Sequence, residues 1–253
     1  MIKDTINSKK FNFSDFTIDH YKEILTLAKQ THVFSSYSDF DKHKNILLNR
    51  HDVDFSIENA LVLGKLENKM GVISTYFFML HSEYYGLLEK KSIEILKELK
   101  ALGHNIGLHF DAQFYNIKNE KELGTKIRYE KEVIEYFADV EVEVFSFHNT
   151  TDFSMNCREW KYGGLINTYA DLFQSEIAYC SDSNGYWRFH RMIDFITENM
   201  NKPIQLLTHP VWWTTKIQSP KVKIEACIEE RAVSNKKEYE HILKFFNREN
   251  LDW

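Results

Sequence analysis

Proline is scarce in this chain, three in 253 residues, and only nine glycines accompany it. No Pro/Gly/Ser-rich stretch therefore separates two halves of different composition, and residues 1–253 are expected to form one large α/β domain. Cysteine lacks a pattern: Cys157, Cys180 and Cys227 are odd in number and widely spaced. With no C-x-x-C pair, a disulfide framework and a thiolate zinc site are both excluded, leaving reduced structural thiols. Basic charge is also missing. A net charge of -5 and a pI near 6.1 give no footprint for a phosphate backbone, so nucleic acid is not an expected partner. No run approaches the roughly 20 apolar residues that cross a bilayer, and Met1–Asn7 lacks the apolar core of a secretion signal. The expectation is a cytoplasmic protein without a membrane span.

What is present is an alternation of periods. Tyr21, Ile24, Leu25, Leu27 and Ala28 recur at helical spacing from Thr17, a candidate N-cap, to Gln30. Asn45–Arg50 is a short apolar strand, followed by a helical pattern from Ile57 to Met70 that stops at Gly71 and a β-branched, aromatic strand over Val72–Met79. A crossover of that length implies parallel pairing. The cycle repeats through helix 92–102, strand 105–109, helix 120–137 and strand 142–147. Less regular strands follow over 177–180 and 204–207, and a closing helix is expected over 236–250. Repeated βα units argue for a barrel or an open parallel sheet.

Four of these strands end in histidine and acid: Arg50-His51-Asp52-Val53-Asp54, Gly107-Leu108-His109-Phe110-Asp111, Phe145-Ser146-Phe147-His148-Asn149 and Leu206-Leu207-Thr208-His209-Pro210. Parallel strands bring their C-terminal ends to one face, so ligands distant in sequence can meet around one ion. Asp52 and Asp54 can divide metal holding from general-base work, although either can instead cap the next helix, a job Ser56 also offers to do. His109, Asp111 and His148 are candidate ligands against the alternative of hydrogen-bonded core histidines. His209 is held extended by Pro210, which suits a general acid. Asp182, in the polar Ser181–Trp187 turn, either forms that turn or orients a histidine. Trp187, Trp212 and Trp213 are candidate stacking surfaces for a sugar, and Arg50 and Arg188 candidate anion clamps.

Arg50–Asp54, Gly103–Asp111, the Ser181–Arg188 turn and Thr208–Trp213 together resemble the polysaccharide deacetylase superfamily with NodB homology. The nearest look is to its WbmS-like branch, associated with surface-polysaccharide gene clusters. The resemblance runs from about Phe16 to Trp213. It implies a distorted (β/α)7 barrel and removal of an N- or O-acetyl group by metal-activated water. Two departures stand out. The family's first motif has adjacent aspartates, where this chain separates Asp52 and Asp54 by Val53. Its second motif has a further histidine four residues after the first, where this chain has Gln113, so that either Asp111 or His148 replaces that ligand or the metal is bound weakly or not at all.

The resulting expectation is a divalent-metal deacetylase, zinc being the expected ion, acting on an acylated sugar or surface-polysaccharide precursor. Asp54, His109 and His148 hold the metal, Asp52 serves as base and His209 as acid. His51, Asp111 and Asp182 are alternative ligands or supporting groups, and Arg50, Trp187, Arg188, Trp212 and Trp213 bind substrate. The alternatives are a catalytically silent glycan-binding protein and a hydrolase of non-sugar amides.

Overall fold

A computed structural model describes residues 6–42 and 44–251. Met1–Thr5 of the segment considered for a secretion signal lie outside the described residues. The chain opens with α1 (Ile6–Lys10), α2 (Ile18–Thr31) and the short β1 (Val33–Phe34). The central alternation is β2 (Ile46–Val53), α3 (Ile57–Lys69), β3 (Thr75–Phe78), α4 (Lys90–Ala101), β4 (Asn105–Phe110), α5 (Glu120–Ala138) and β5 (Val142–Phe147). After it come α6 (Asp152–Asn156), β6 (Lys161–Tyr162), β7 (Leu165–Asn167), α7 (Asp171–Glu176), β8 (Ala178–Ser181), α8 (Met192–Glu198), β9 (Ile204–Thr208) and α9 (Pro220–Phe245).

The helix starts follow capping chemistry. Thr17, Ser56 and Asn119 each accept a backbone N–H with a side-chain oxygen at the head of α2, α3 and α5. Ser56 thus takes the cap that Asp52 or Asp54 was also able to fill, which leaves both carboxylates to other work. The last helix corrects the sequence expectation: it begins at Pro220 under a Ser219 cap, sixteen residues before the expected Lys236. Pro at the first position and Ser before it are a start signal that the apolar spacing alone did not reveal.

Seven strands run parallel in the order β7-β5-β4-β3-β2-β9-β8, with β6 added antiparallel to β7 and β1 beside β2. This is the α/β barrel arrangement expected. It stays open at one seam, because no pairing joins the β6–β7 hairpin to β8 among the described residues. Tyr37 closes the floor, its ring against Phe77 and Phe173 and its hydroxyl donating to Gln205 at 2.8 Å. On the inner face Gly107 has no room for a side chain, since a Cβ there would meet the Phe77 ring at 2.6 Å. The outer face packs on α3, α4 and α5 through Val53, Tyr76, Leu108 and Phe145, and on α2 and α8 through Leu47 and Leu206. The buried Lys223 of α9 donates to the carbonyls of Phe16 and Trp212, fastening that helix to the loop after β9. No helix among the described residues is long and apolar enough to cross a membrane.

Candidate metal centre

Side chains alternate along a strand, so β2 sends Arg50 and Asp52 inward and Asn49, His51 and Val53 outward. Just past its end, Asp54 approaches two imidazoles. Its Oδ1 lies 3.1 Å from His109 Nε2 at the end of β4 and 3.7 Å from His148 Nδ1 just after β5. The two imidazole nitrogens are 3.4 Å apart. The placement of His148 depends on a bulge. Ile106 pairs with Val142 but Leu108 with Phe145, so β5 carries one extra residue and reverses its facing. Val142 and Phe145 both reach the outer core, while Val144 joins the inner one, and Ser146 and His148 follow it inward.

The three donors fit a cation. Asp54 Oδ1 is buried and has no hydrogen-bond partner among the described residues, although it faces two nitrogens. His109 Nδ1 sits 2.7 Å from Ser146 Oγ, which leaves Nε2 as the nitrogen turned to Asp54. The side-chain amide of Asn149 holds His148 Nε2 at 2.8 Å, leaving Nδ1 on the same side. A carboxylate oxygen facing two imidazole nitrogens calls for positive charge among them, supplied by a bound cation or by protons on the rings. Tetrahedral zinc with bonds near 2.0–2.1 Å sets its ligands roughly 3.3 Å apart, and the observed separations of 3.1 to 3.7 Å bracket that value. Burial would raise the Asp54 carboxyl, but the His109 and His148 imidazoles hold it well below the usual carboxylate range.

Two further groups flank this trio. Asp52 is gripped by Arg50 along one edge of the guanidinium, Nε to Oδ1 at 2.8 Å and Nη2 to Oδ2 at 2.7 Å, and its Oδ2 lies 3.6 Å from His109 Nε2. Burial would raise its carboxyl and the Arg50 charge more than reverses that, so Asp52 is held as the anion. Opposite, His209 Nε2 lies 3.7 Å from Asp54 Oδ2. Its Nδ1 sits 2.6 Å from Asp182 Oδ1, and Asp182 Oδ2 also accepts the His209 backbone N–H. Burial pulls the His209 imidazole down, but Asp182 outweighs it and pushes it up to about 9. A cleft of about 430 Å³ opens above Asp54, His148 and His209, walled by Phe55, Tyr84, Phe114 and Trp212.

No known protein-family model matches the chain, and no curated protein does. Among solved structures it is similar to a family 4 acetyl xylan esterase from Clostridium thermocellum in complex with a cobalt ion, at 14% identity over 75% of this chain and 84% of that one, TM-score 0.43. A family 4 carbohydrate esterase from Bacillus anthracis matches at 14% identity over 85% and 86%, TM-score 0.44. The Xyl-CE4 domain of a multidomain xylanase from the hindgut metagenome of Trinervitermes trinervoides matches at 12% over 75% and 83%, TM-score 0.44.

Several sequence candidates lie elsewhere. His51 is on the outer face of β2, 2.7 Å from Glu67 and 2.5 Å from Thr208 Oγ1, so it is no ligand. Asp111 spends Oδ1 on the backbone N–H groups of Gln113 and Phe114, forming a turn at the rim of the cleft. Gln113 donates to the Asn149 carbonyl, so the position where a second histidine was expected braces the His148 loop. Trp187 donates to Asp15 and is not part of the cleft lining, and Arg188 is exposed over Phe189. Trp213 is buried and donates to Asp182, which makes it a support rather than a sugar platform. Only Trp212 of the three tryptophans lines the cleft. Arg50 lies beneath Asp52 and away from the cleft.

Sequence reasoning passed over Ser146 and Glu130. A small hydroxyl between Phe145 and Phe147 in a buried strand was the available signal for the first. Glu130 of α5 is 1% exposed behind His81, its Oε1 3.4 Å from His81 Nε2, and burial pushes its carboxyl up to about 8. Nothing in an amphipathic pattern distinguishes it from a solvated glutamate.

Proposed function

We propose that this protein is a divalent-metal hydrolase that removes an acyl group, acetyl in the simplest case, from the nitrogen or oxygen of a sugar. The observation that carries this reading is the buried, unpartnered Asp54 oxygen facing His109 and His148. Zinc is the ion we assign from one carboxylate and two imidazoles. Bound there, a divalent ion supplies polarisation of the acyl carbonyl and acidification of water. Asp52, fixed by Arg50, accepts the proton of the attacking water. His209, charged and aimed by Asp182, delivers a proton to the departing amine or alkoxide. Phe55 and Tyr84 offer faces for the apolar side of a sugar ring, and the buried Trp212 backs the cleft wall and excludes water. The motif resemblance adds a surface-polysaccharide precursor as the substrate class.

The test is elemental analysis of the purified protein and its His109→Ala variant, paired with acetate release from acetylated sugars and small acetamides. Near one equivalent of metal in the parent, lost in the variant together with sugar deacetylation, is the expected result. Failure to bind added zinc, or turnover retained in the variant, overturns it. Release from acetamides alone would assign the substrate to non-sugar amides.

A further inference from the structure

The barrel's open seam holds a second cavity, of about 340 Å³, separated from the metal cleft by the loop after β5. His148 and Asn149 of that loop face the cleft, and Thr150 faces the seam. The size is within the range of small-molecule sites. Its lining carries hydroxyls from Thr168, Tyr169 and Tyr179, the amide of Gln205, the ring of Phe173 and one charged group, Arg50. No carboxylate among the described residues borders it.

Arg50 is 2% exposed, and its planar fork has two usable edges. The edge formed by Nε and Nη2 is taken by Asp52 at 2.8 and 2.7 Å. The other, formed by Nη1 and the second Nη2 hydrogen, has one partner, Thr168 Oγ1, at the outer limit of 3.5 Å. The rings of Phe77 and Tyr169 lie 5.2 and 5.6 Å from the guanidinium carbon and restrict its rotation. A buried arginine that holds one carboxylate and turns an underused N–H pair to a cavity is shaped for a second oxyanion. Hydroxyls and an amide around that point suit the ring hydroxyls of a sugar, and Tyr169 and Phe173 its apolar face.

The geometry points to the seam cavity as a binding site for an acidic sugar, its carboxylate or phosphate oxygens taken by the free edge of Arg50. The site is distinct from the metal cleft and needs no hydrolysis to be occupied. Because Asp52 holds the opposite edge of the same guanidinium, occupancy and the orientation of Asp52 are mechanically joined.

Calorimetric titration of the metal-loaded protein with glucuronate, glucose 6-phosphate and neutral glucose tests this. At least one acidic sugar should bind once per chain, ten-fold or more tighter than glucose, and which of the two wins identifies the oxyanion. Ile177→Trp, which fills the seam, and Tyr179→Ala, which strips its wall, should each weaken that binding ten-fold or more. His109→Ala should leave it unchanged. Absence of saturable binding by either acidic sugar, equal binding of glucose, insensitivity to both seam substitutions, or loss in His109→Ala would each overturn the assignment, the last by placing the anion on the metal. Circular dichroism of each variant separates lost binding from lost folding.

Discussion

Two clusters of carboxylate and histidine sit back to back across β2, and they differ in how completely the carboxylate of each is satisfied. On the outer face Glu67, with 0% side-chain exposure, receives four donors or imidazoles: Tyr21 at 2.5 Å, His51 at 2.7 Å and Asn49 at 2.9 Å on Oε1, and Tyr76 at 2.6 Å on Oε2. On the inner face Asp54, 15% exposed, meets two imidazoles and leaves Oδ1 without a donor. Both clusters are buried, polar and rich in histidine. Glu67, with partners on both oxygens, joins α2, α3, β2 and β3 into a fixed frame, even though Asn49 Oδ1 beside it has no partner among the described residues; Asp54 is where a charge is wanted. Residue type did not separate the two carboxylates, whereas the bonding capacity left on each of them did.

Substitution can break that contrast. The largest effect is expected from Asp54→Asn, which should reduce acyl release to the level of buffer and remove the metal. Urea unfolding of the metal-free protein should be only slightly easier, because the amide gives up the carboxylate's attraction to the two imidazoles yet can still hydrogen-bond them. A metal-free variant that unfolds far more readily would place Asp54 in the frame after all. Glu67→Gln should do the reverse, costing about 3–5 kcal/mol of unfolding free energy by breaking a buried charged network, while metal stoichiometry stays near one.

Acid sharpens the comparison further. Burial would raise the Glu67 carboxyl, but His51 and its other partners pull it down to about 2. A carboxyl depressed in the folded state stabilises above its unfolded value and loses that contribution as protons reach it. Glu67 should therefore stabilise the parent above about pH 4.5 and give up about 3 kcal/mol as pH falls toward 2. Thermal unfolding across that range should show a slope that Glu67→Gln flattens. The smallest effect runs in the opposite direction. Glu130, raised to about 8 by burial, stabilises while protonated and loses that contribution as pH climbs through 8. Between pH 7 and 9 the parent should lose roughly 1 kcal/mol that Glu130→Gln retains.

The alternation of strands and helices was legible because apolar spacing reports directly on burial: 142–147 is strand as expected, and the helix expected over 57–70 ends one residue sooner, at Lys69. The meeting of strand ends was legible from topology. Facing was legible in part. A period of two already places Asp52 with Arg50 and against His51, so the strand itself argues against His51 as an alternative ligand. His148 is different, since only the bulge in β5 turns it inward, and no residue there announces one. Glu67 and Trp187 owe their roles to partners distant in the chain, Trp187 being tied with Arg191 to Asp15. Single-sequence spacing does not register such contacts.

The two imidazoles of the metal trio are 39 residues apart, on different strands, where a pair four residues apart would share one loop. An unfolded chain with closely spaced histidines can still chelate, which subtracts from any stabilisation by the ion. Here the entropy of closing such long loops leaves the unfolded ensemble a poor chelator. Metal occupancy should consequently report completed registration of β2, β4 and β5, so that a cell short of the ion would hold a chain measurably easier to unfold and degrade.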